Sequence, residues 1–310
     1  MEGGTAEKPR IGVIGLGRLG GAIAGNLIAS GFTVAGYRRS SMADFVAMGG
    51  RATASPAELA TTTDIILTIL PDEDALEEVI SRPKGIMEAI RPDHVLIELS
   101  TLPIVAKEAQ RVRLAAAGAA MLDCPLSGNP DATRARQAAA FVSGDEAAMV
   151  RVRPVIKGFT DRAVELGAFG NGSRMKYLAN MLLAVHCMAA AEAFNAGLRV
   201  GMAPELVAEA LNLGAAASRQ LAVRAPVVSG AKAGPPRGNV SSAHSEFPTI
   251  EAFLRSVGAV TPLYDVAKRY YEASADAGFA ALDTAMIYTA ILRSESAPHP
   301  ATPPIAPPGA

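Results

Sequence analysis

The chain has 310 residues, of which 50% are hydrophobic and 19% charged, and a formal net charge of −1. This is a globular composition, and the length allows two domains. The absence of a basic excess argues against nucleic acid as a partner. The two cysteines, Cys124 and Cys187, are too far apart in sequence to indicate a disulfide framework or a zinc site.

Two features of the sequence bear on its compartment. The polar first ten residues lack the apolar core of a signal peptide. The longest apolar stretch, residues 181–191, is short for a membrane span and contains a histidine, so it predicts a buried helix. We therefore expect a cytoplasmic protein that does not use a membrane.

The first part of the chain alternates short apolar runs with segments of helical spacing. Runs of this length with few polar residues are typical of strands buried on both faces, and their alternation with helices predicts βαβ units and a parallel sheet. The predicted strands are residues 11–15, 32–37, 64–70, 94–100, 119–123, 138–144 and 163–167.

Strand patterns end near residue 168, and helical patterns follow. We predict an α/β domain over residues 8–168 and an all-α domain over 169–295. Residues 227–248, rich in glycine, proline and serine, are predicted to form a loop. The proline-dense tail, residues 296–310, is predicted to be disordered.

Three glycines directly after the first predicted strand form a G-x-G-x-x-G pattern: Gly15, Gly17 and Gly20. A helix starts at the end of this pattern. Small residues let the backbone approach a pyrophosphate, and a helix N-terminus offers unpaired N–H groups. A tight strand-to-helix turn without a ligand is the alternative, but the context favours a dinucleotide site.

The end of the second predicted strand indicates which dinucleotide would bind. A site for NAD usually has Asp or Glu here to hold the ribose 2′-hydroxyl. This chain has Arg38, Arg39 and Ser40, and its first acid is Asp44. Guanidinium groups suit a 2′-phosphate, so we expect NADP(H), although solvated surface arginines would give the same pattern.

Several motifs in order resemble the β-hydroxyacid dehydrogenase family, which includes 3-hydroxyisobutyrate dehydrogenase, tartronate semialdehyde reductase and L-threonate dehydrogenase. The resemblance covers roughly residues 10–295. The motifs are GVIGLGRLGGAIAGNL with Asn26, LTILPDEDALEEV, IELST, LDCPLSG at 122–128, and the glycine turn before Lys176 and Asn180.

The resemblance implies a Rossmann domain with a doubly wound parallel sheet, a long linking helix and a helical C-terminal domain, commonly dimerised through that helical part. The cofactor would be NADP(H), held by the glycine loop, the arginine pair and the ends of two later strands. The implied cofactor contacts are Gly15, Leu16, Gly17, Arg18, Leu19, Gly20, Arg38, Arg39, Ser40, Leu70, Pro71 and Thr101.

The resemblance also implies roles at the reacting centre. Lys176 would be the general acid or base for a carbonyl or hydroxyl group, and Asn180, one turn later, would orient that group. Ser127, Gly128 and Asn129 would hold the carboxylate of a small hydroxy, keto or aldehyde acid. The implied reaction interconverts a 3-hydroxy acid and its aldehyde or keto acid. A lysine that only snorkels from a buried helix is the structural alternative.

Some positions depart from the family pattern. Ala179 stands where relatives often have Asn or His, Asn129-Pro130 replaces a second glycine, and Arg136 replaces another. The family's Lys-Asp pair aligns with Ser245-Glu246. These changes keep two other readings open, an imine reductase on the same scaffold and a non-catalytic NADPH-binding scaffold or regulatory protein.

The remaining candidates are single residues. Tyr264 and Lys268 have the spacing of a short-chain dehydrogenase motif, but they lie in the helical region, where an amphipathic helix is the better interpretation. His186 is predicted to be a core or interface residue, and His244 could reach the cofactor. The acidic residues have no metal-ligand spacing, so we expect no metal.

Overall fold

The structure is a computed structural model and describes residues 8–230, 240–288 and 291. The chain divides into two compact units between Ala179 and Asn180, further along than the change of pattern near residue 168. The division falls inside one long helix. The tail predicted to be disordered, residues 296–310, lies outside the described residues.

The first unit contains a parallel sheet of six strands in the order β3-β2-β1-β4-β5-β6. Within the described residues the strands are β1 Ile11–Ile14, β2 Val34–Tyr37, β3 Arg51–Ala52, β4 Ile65–Thr68, β5 Val95–Glu98, β6 Ala120–Asp123, β7 Leu126–Ser127, β8 Ala139–Val142 and β9 Arg162–Glu165. Every pair in the large sheet is parallel. This order is that of a Rossmann domain, so the predicted fold class is confirmed.

The helices follow in chain order. They are α1 Arg18–Ala29, α2 Ala43–Ala47, α3 Pro56–Thr62, α4 Glu73–Ser81, α5 Ile104–Ala116, α6 Pro130–Arg134, α7 Glu146–Phe159, α8 Asn171–Arg199, α9 Pro204–Asn212, α10 Arg219–Val228, α11 Val240–Ser256 and α12 Pro262–Ser274. Short 3₁₀ segments lie at Ile86–Glu88 and Thr284–Met286, and a π segment lies at Ala275–Phe279.

The central strands are buried on both faces because helices cover both sides of the sheet. In β4, Ile65 and Leu67 belong to the cluster that includes Ile23 of α1 and Val152 of α7. Ile66 points the other way, into a cluster with residues of α3, α4 and α5. Each such buried aliphatic side chain contributes about 1.5–3 kcal/mol. The two-sided burial explains the apolar runs in the sequence.

A second sheet, β7-β8-β9, extends this unit. Strands β7 and β8 are antiparallel, and β8 and β9 are parallel. Helix α1 is tied to this region by Asn26, whose amide donates to the carbonyl oxygen of Thr133 at 2.6 Å and to that of Phe159 at 3.3 Å. The asparagine of the opening motif therefore has a structural role.

The described part of the second unit is helical, as predicted. Phe194 of α8 packs with Val207 of α9 and Leu221 of α10 in one cluster. A buried ion pair joins Arg224 to Asp283 at 2.5 Å. Near the end of the described chain, the 3₁₀ turn at Thr284–Met286 leads directly into α-helical residues 287–288, and residue 291 is also helical.

The loop predicted over residues 227–248 is wrong at both of its described ends. Helix α10 continues to Val228, and α11 begins at Val240 and includes Pro248. Phe247, Ile250 and Leu254 are buried along one face of α11. Phe247 also packs edge-on against Tyr264 of α12, with ring centroids 5.7 Å apart. The free energy gained by burying this face is larger than the free energy lost because Pro248 cannot donate a backbone hydrogen bond within the helix.

Helix α8 has 29 residues, and it is the one helix in the described ranges that is long and apolar enough to cross a membrane. Of its most apolar stretch, 44% is buried inside the protein. A single helix of this kind is weak evidence for a membrane span, because core helices of globular proteins have the same length and composition.

Candidate functional site

The glycine loop joins β1 to α1 at the carboxyl edge of the sheet. Helix α1 starts after Gly17, whose extended backbone carries no capping side chain, and the first turn contains no acidic residue. The first N–H groups of an α-helix have no partner within the helix. Together with the helix dipole they form a site for an anion such as a phosphate.

The three glycines of the loop have different functions. Gly15 has a φ of +94°, and a Cβ atom there would lie 2.0 Å from the carbonyl oxygen of Ile69. A Cβ on Gly20 would lie 2.1 Å from the carbonyl oxygen of Gly15. No atom lies within 4 Å of the position that a Cβ on Gly17 would take. Gly15 and Gly20 are therefore needed for the fold of the loop, whereas Gly17 leaves space open above it.

That space belongs to a cavity of about 650 Å³ in the first unit. Its wall is formed by the loop after β1, the end of β2, the end of β4 and one face of α4. The lining residues are Ile14, Gly15, Leu16, Gly17, Arg18, Leu19, Gly20, Tyr37, Arg38, Arg39, Ser40, Ile69, Leu70, Pro71, Ala75, Glu78 and Val79. Of the residues expected to contact a cofactor, Thr101 alone is absent from this wall.

The two arginines after β2 have different surroundings. The Arg38 guanidinium donates to the carbonyl oxygens of Leu16 at 2.8 Å and Ser41 at 2.6 Å, and it pairs with Asp44. Its hydrogen bond lowers the pKa of the Asp44 carboxyl. Arg39 is 73% exposed, with Nη1 4.0 Å from Oε2 of Glu78. Arg38 therefore holds the loop together, and Arg39 presents its guanidinium to the cavity.

The ends of β4 and β5 are joined by a side chain. The amide N–H of Leu70 donates to Oγ of Ser100 at 2.8 Å. This contact fixes the Leu70-Pro71 backbone in the cavity wall and places Thr101 directly after the residue that holds it. The ends of β4 and β5 therefore lie side by side at one edge of the sheet.

The segment expected to bind a carboxylate follows β6. Ser127 lies in β7 and pairs with Ala139 of β8. A Cβ on Gly128 would lie 2.7 Å from that of Ala138, so the chain packs too closely here for a larger residue. Asn129 caps α6, its Oδ1 accepting from the N–H of Ala132 at 2.8 Å. Asn129 and Pro130 thus start a short helix, and the side-chain carbonyl oxygen of Asn129 already accepts a hydrogen bond from that helix.

Arg136 explains why a glycine is usual at its position. Its φ of +59° lies in the left-handed region, which costs a non-glycine residue about 1–2 kcal/mol. The side chain donates to the carbonyl oxygen of Gly158 at 2.6 Å and pairs with Asp161 at 2.9 Å. These contacts offset the backbone strain.

Helix α8 carries both residues expected at the reacting centre. Lys176 is half-buried in the second turn. The next residue, Tyr177, is buried and donates its hydroxyl to the carbonyl oxygen of Leu102 at 2.5 Å. Burial raises the pKa of Tyr177 to about 12. This contact fixes the first turns of α8 to the chain just after Thr101.

Asn180 belongs to the second unit, where its side-chain amide donates to the carboxylate of Glu246 on α11. Glu246 is the acid of the pair that aligned with the family's Lys-Asp. Glu246 therefore contacts a residue that was predicted to be in the site. A spacing argument could not have found this pair, because the two residues are far apart in sequence.

A buried charge cluster, formed by Lys107, Glu98 and Asp123, was missed by the sequence reasoning. The Lys107 ammonium lies 2.7 Å from Oε2 of Glu98 and 2.8 Å from Oδ1 of Asp123, and it donates to the carbonyl oxygen of Ser100 at 2.6 Å. All three charged side chains are completely buried. A charged residue closing an apolar run, such as Glu98, is the signal that could have indicated it.

The ionisation of the charge cluster follows from its burial. Burial alone would lower the pKa of Lys107, but the two carboxylates outweigh it and raise that pKa above its ordinary value. Burial raises the pKa of Glu98, against the opposing effect of Lys107. Burial also raises the pKa of the Cys124 thiol, which stays protonated and acts as a packing residue.

The lone candidates are placed as follows. His186 is exposed on α8 and is therefore not a core residue, whereas its predicted place in an interface stays a prediction; Ala184, Cys187 and Met188 form the buried face. His244 is exposed and lies edge-on to Phe247 with centroids 6.0 Å apart. Tyr264 is buried and Lys268 pairs with Glu251, in agreement with an amphipathic helix.

The described ranges contain no group of three or more His, Cys, Asp or Glu that could hold a metal ion.

Family models match both parts of the chain. Residues 10–167 match the family described as the NAD binding domain of 6-phosphogluconate dehydrogenase. Residues 170–291 match the family described as NAD-binding of NADP-dependent 3-hydroxyisobutyrate dehydrogenase. The chain belongs to the β-hydroxyacid dehydrogenase family. Residues 10–167, which include the glycine loop, accordingly form a nicotinamide-dinucleotide-binding domain.

Individual relatives are similar at moderate identity. Mitochondrial 3-hydroxyisobutyrate dehydrogenase of Mus musculus is 34% identical over 211 residues, or 67% of this chain and 63% of that protein, so the match leaves over a third of that protein uncovered. L-threonate dehydrogenase of Cupriavidus necator is 34% identical over 70% of this chain and 74% of that protein. A crystal structure of 3-hydroxyisobutyrate dehydrogenase from Salmonella typhimurium has a TM-score of 0.81 at 22% identity, covering 91% of this chain and 99% of that one.

The open space above Gly17 predicts a selective effect of a methyl group. Gly17→Ala should fold normally, because its φ of −75° suits alanine, but the methyl group should obstruct the pyrophosphate and raise the Kd for NADPH about tenfold or more, equivalent to about 1.4 kcal/mol. Fluorescence titration measures this Kd. Gly21→Ala is the matched control, since a Cβ there also has open space but lies outside the cavity wall. Unchanged binding by Gly17→Ala would contradict the assignment.

Proposed function

We propose that the protein is an NADP(H)-dependent oxidoreductase that interconverts a small 3-hydroxy acid and its aldehyde or keto acid. The observation that carries the proposal is in the first unit. There the glycine-loop cavity and the helix that carries Lys176 are linked through adjoining strand ends. The substrate class is that of the hydroxyacid dehydrogenases named among the relatives.

The proposed chemistry gives each residue one task. When bound, the nicotinamide supplies or accepts the hydride. Lys176 donates a proton to the carbonyl oxygen during reduction and accepts it during oxidation. Lys176 is half-buried on α8. Asn180 orients the reacting oxygen, with its amide held by Glu246.

The carboxylate end of the substrate is assigned to the segment after β6. Ser127 offers a hydroxyl group and Gly128 a backbone N–H, and both sit at the edge of the second sheet. Asn129 contributes its remaining amide group, because its carbonyl oxygen caps α6. Holding the carboxylate at one end and the carbonyl at the other fixes the reacting carbon, which is the main benefit of a positioned substrate.

The preference for NADP(H) is supported by the groups at the end of β2. Arg39 and Ser40 line the cavity, and no acid occupies the position that usually binds a ribose 2′-hydroxyl. A guanidinium can bind phosphate oxygens in a bidentate manner. We assign the 2′-phosphate to Arg39 and Ser40, and a loop-supporting role to Arg38.

The protein is further proposed to act as a cytoplasmic homodimer. The second unit exposes large apolar side chains, including Leu182 and Leu183 on α8 and Leu206 on α9. Exposed apolar groups in such number are typical of surfaces that bind another protein. Sedimentation velocity on the full chain measures the oligomeric state.

A second candidate function is reduction of a C=N bond. It is favoured by Asn129-Pro130, which starts α6 where the family pattern has a second glycine and so alters the carboxylate segment. Steady-state assays with NADPH on a panel of aldehyde acids and a panel of cyclic imines separate the two. Turnover of aldehyde acids alone supports the first function, turnover of imines alone supports the second, and stoichiometric binding without turnover supports a scaffold protein.

Loss of the ammonium should abolish turnover. Lys176→Ala should lower kcat by about 10²–10⁴-fold, the usual contribution of a general acid, and leave the Kd for NADPH within about twofold of the wild-type value. Lys157→Ala, an exposed lysine at the end of α7, is the control and should retain full activity. A wild-type kcat for Lys176→Ala would refute the assignment.

The two arginines should respond differently to truncation. Arg39→Ala should raise the Kd for NADPH by about 10–100-fold, because a charged hydrogen bond contributes about 1.5–3 kcal/mol, with the Kd for NADH nearly unchanged. Arg38→Ala should weaken both dinucleotides, since it releases the carbonyl groups of Leu16 and Ser41. Equal effects of Arg39→Ala on both cofactors would exclude a 2′-phosphate contact.

A further inference from the structure

The charge cluster of Lys107, Glu98 and Asp123 lies directly against the start of α8. Oδ2 of Asp123 accepts the backbone N–H of Ser173 at 2.7 Å, and Oδ1 accepts the Ser173 hydroxyl at 2.8 Å. Asp123 thus caps the helix from outside its own segment. Ser173 is 1% exposed, so water does not compete for these bonds.

A second hydroxyl completes the capping. Oγ of Ser143 accepts the backbone N–H of Gly172 at 2.9 Å and donates to the carboxylate of Asp123 at 3.3 Å. A Cβ on Gly172 would lie 2.3 Å from the carbonyl oxygen of Phe141, so the helix start is pressed against β8. The first turn of α8 therefore has its position set by β6 and β8.

The cluster is also linked to the wall of the glycine-loop cavity through Ser100. Lys107 donates to the carbonyl oxygen of Ser100, and the hydroxyl of Ser100 accepts from the N–H of Leu70 in the cavity wall. A continuous chain of bonds therefore runs from Leu70 through Ser100, Lys107 and Asp123 to Ser173. Lys176 is three residues further along α8, close to one helical turn.

The composition of the cluster argues for a role in positioning. Burying charges is expensive, and replacing a buried ion cluster by apolar residues of similar volume is often neutral or stabilising. The hydrogen bonds of Lys107 to two carboxylates and a carbonyl oxygen fix the orientation of these groups, which apolar packing would define less narrowly. The Asp123 carboxylate also lies at the N-terminus of α8, where the helix dipole stabilises negative charge.

We propose that Asp123, held by Lys107, is a positioning residue of the active site: it fixes the start of α8 and so sets the place of Lys176 relative to the cofactor-binding strand ends. The catalytic part of this inference rests on the proposed function. The anchoring part does not, because it concerns the order of the first turn of α8 alone.

The test uses the full chain saturated with NADPH. Ser173→Ala removes one hydroxyl from the bonds to Asp123 and leaves the charges intact, so it should fold. Hydrogen exchange of the peptide covering residues 170–178 should become about tenfold faster. With the preferred substrate of the wild type, kcat should fall about 10–100-fold, while KM and the Kd for NADPH stay within about twofold.

Two further variants keep the result interpretable. Asp123→Asn removes a charge at constant shape and should change exchange and kcat in the same directions as Ser173→Ala, with a larger effect. Ser30→Ala is the matched control: its hydroxyl donates to the carbonyl oxygen of Gly158 at 2.8 Å, away from α8. It should leave both readouts unchanged.

Each result of these experiments tests a different part of the proposal. Wild-type exchange in Ser173→Ala would overturn the anchoring. Faster exchange with a wild-type kcat would overturn the positioning role. An equal loss of kcat in Ser30→Ala would show that the loss in Ser173→Ala comes from general destabilisation of the fold, which would overturn the positioning role. If the wild type turns over no hydroxy or aldehyde acid, the proposed function fails, whereas the exchange experiment still decides the anchoring.

Discussion

The parallel pairing of β1 with both β2 and β4 is the constraint on which the rest of the site depends. It brings the carboxyl ends of these strands to one edge, where the glycine loop, the arginine pair and Leu70 share a single cavity. Directly after the paired residues, Gly15 permits the carbonyl oxygen of Ile69 to approach the loop closely. The shape of this cavity is thus a product of backbone geometry, and the selection between NADP(H) and NAD(H) is the part that we propose for side chains such as Arg39.

Two groups of charged side chains, one exposed and one buried, lie near this edge of the sheet. Around the cavity, exposed groups face solvent and are placed to meet a ligand. Behind it, the charge cluster has no access to water and meets only protein. The first kind provides recognition, whereas the second provides fixed geometry, because a buried ammonium with three acceptors has few alternative arrangements. Lys176 lies one turn along a helix whose first turn is bonded to Asp123 of the buried cluster.

The large sheet could be predicted from the sequence because its strands are buried on both faces, as β4 shows. Strands β3 and β7, of two residues each, leave no such pattern and were missed. Helix α11 was missed because its serines and Pro248 have loop character, and only packing of Phe247 against α12 reveals the helix. In the site, the glycine loop carries its own spacing rule, so its residues were found. Lys107 and Asp123 meet only through the fold, and no local pattern encodes that contact.

The complete burial of the charge cluster also determines how the protein responds to ionic strength. Mobile ions screen exposed charges over about 10 Å at 0.1 M salt but cannot enter a dry interior. The contact between Arg39 and Glu78, with Arg39 73% exposed, lies in the screened regime, whereas the bonds of Lys107 to Glu98 and Asp123 do not. The bonds that hold the start of α8 should therefore be insensitive to salt concentration, whereas the proposed contact of Arg39 with a cofactor phosphate would weaken as the salt concentration rises.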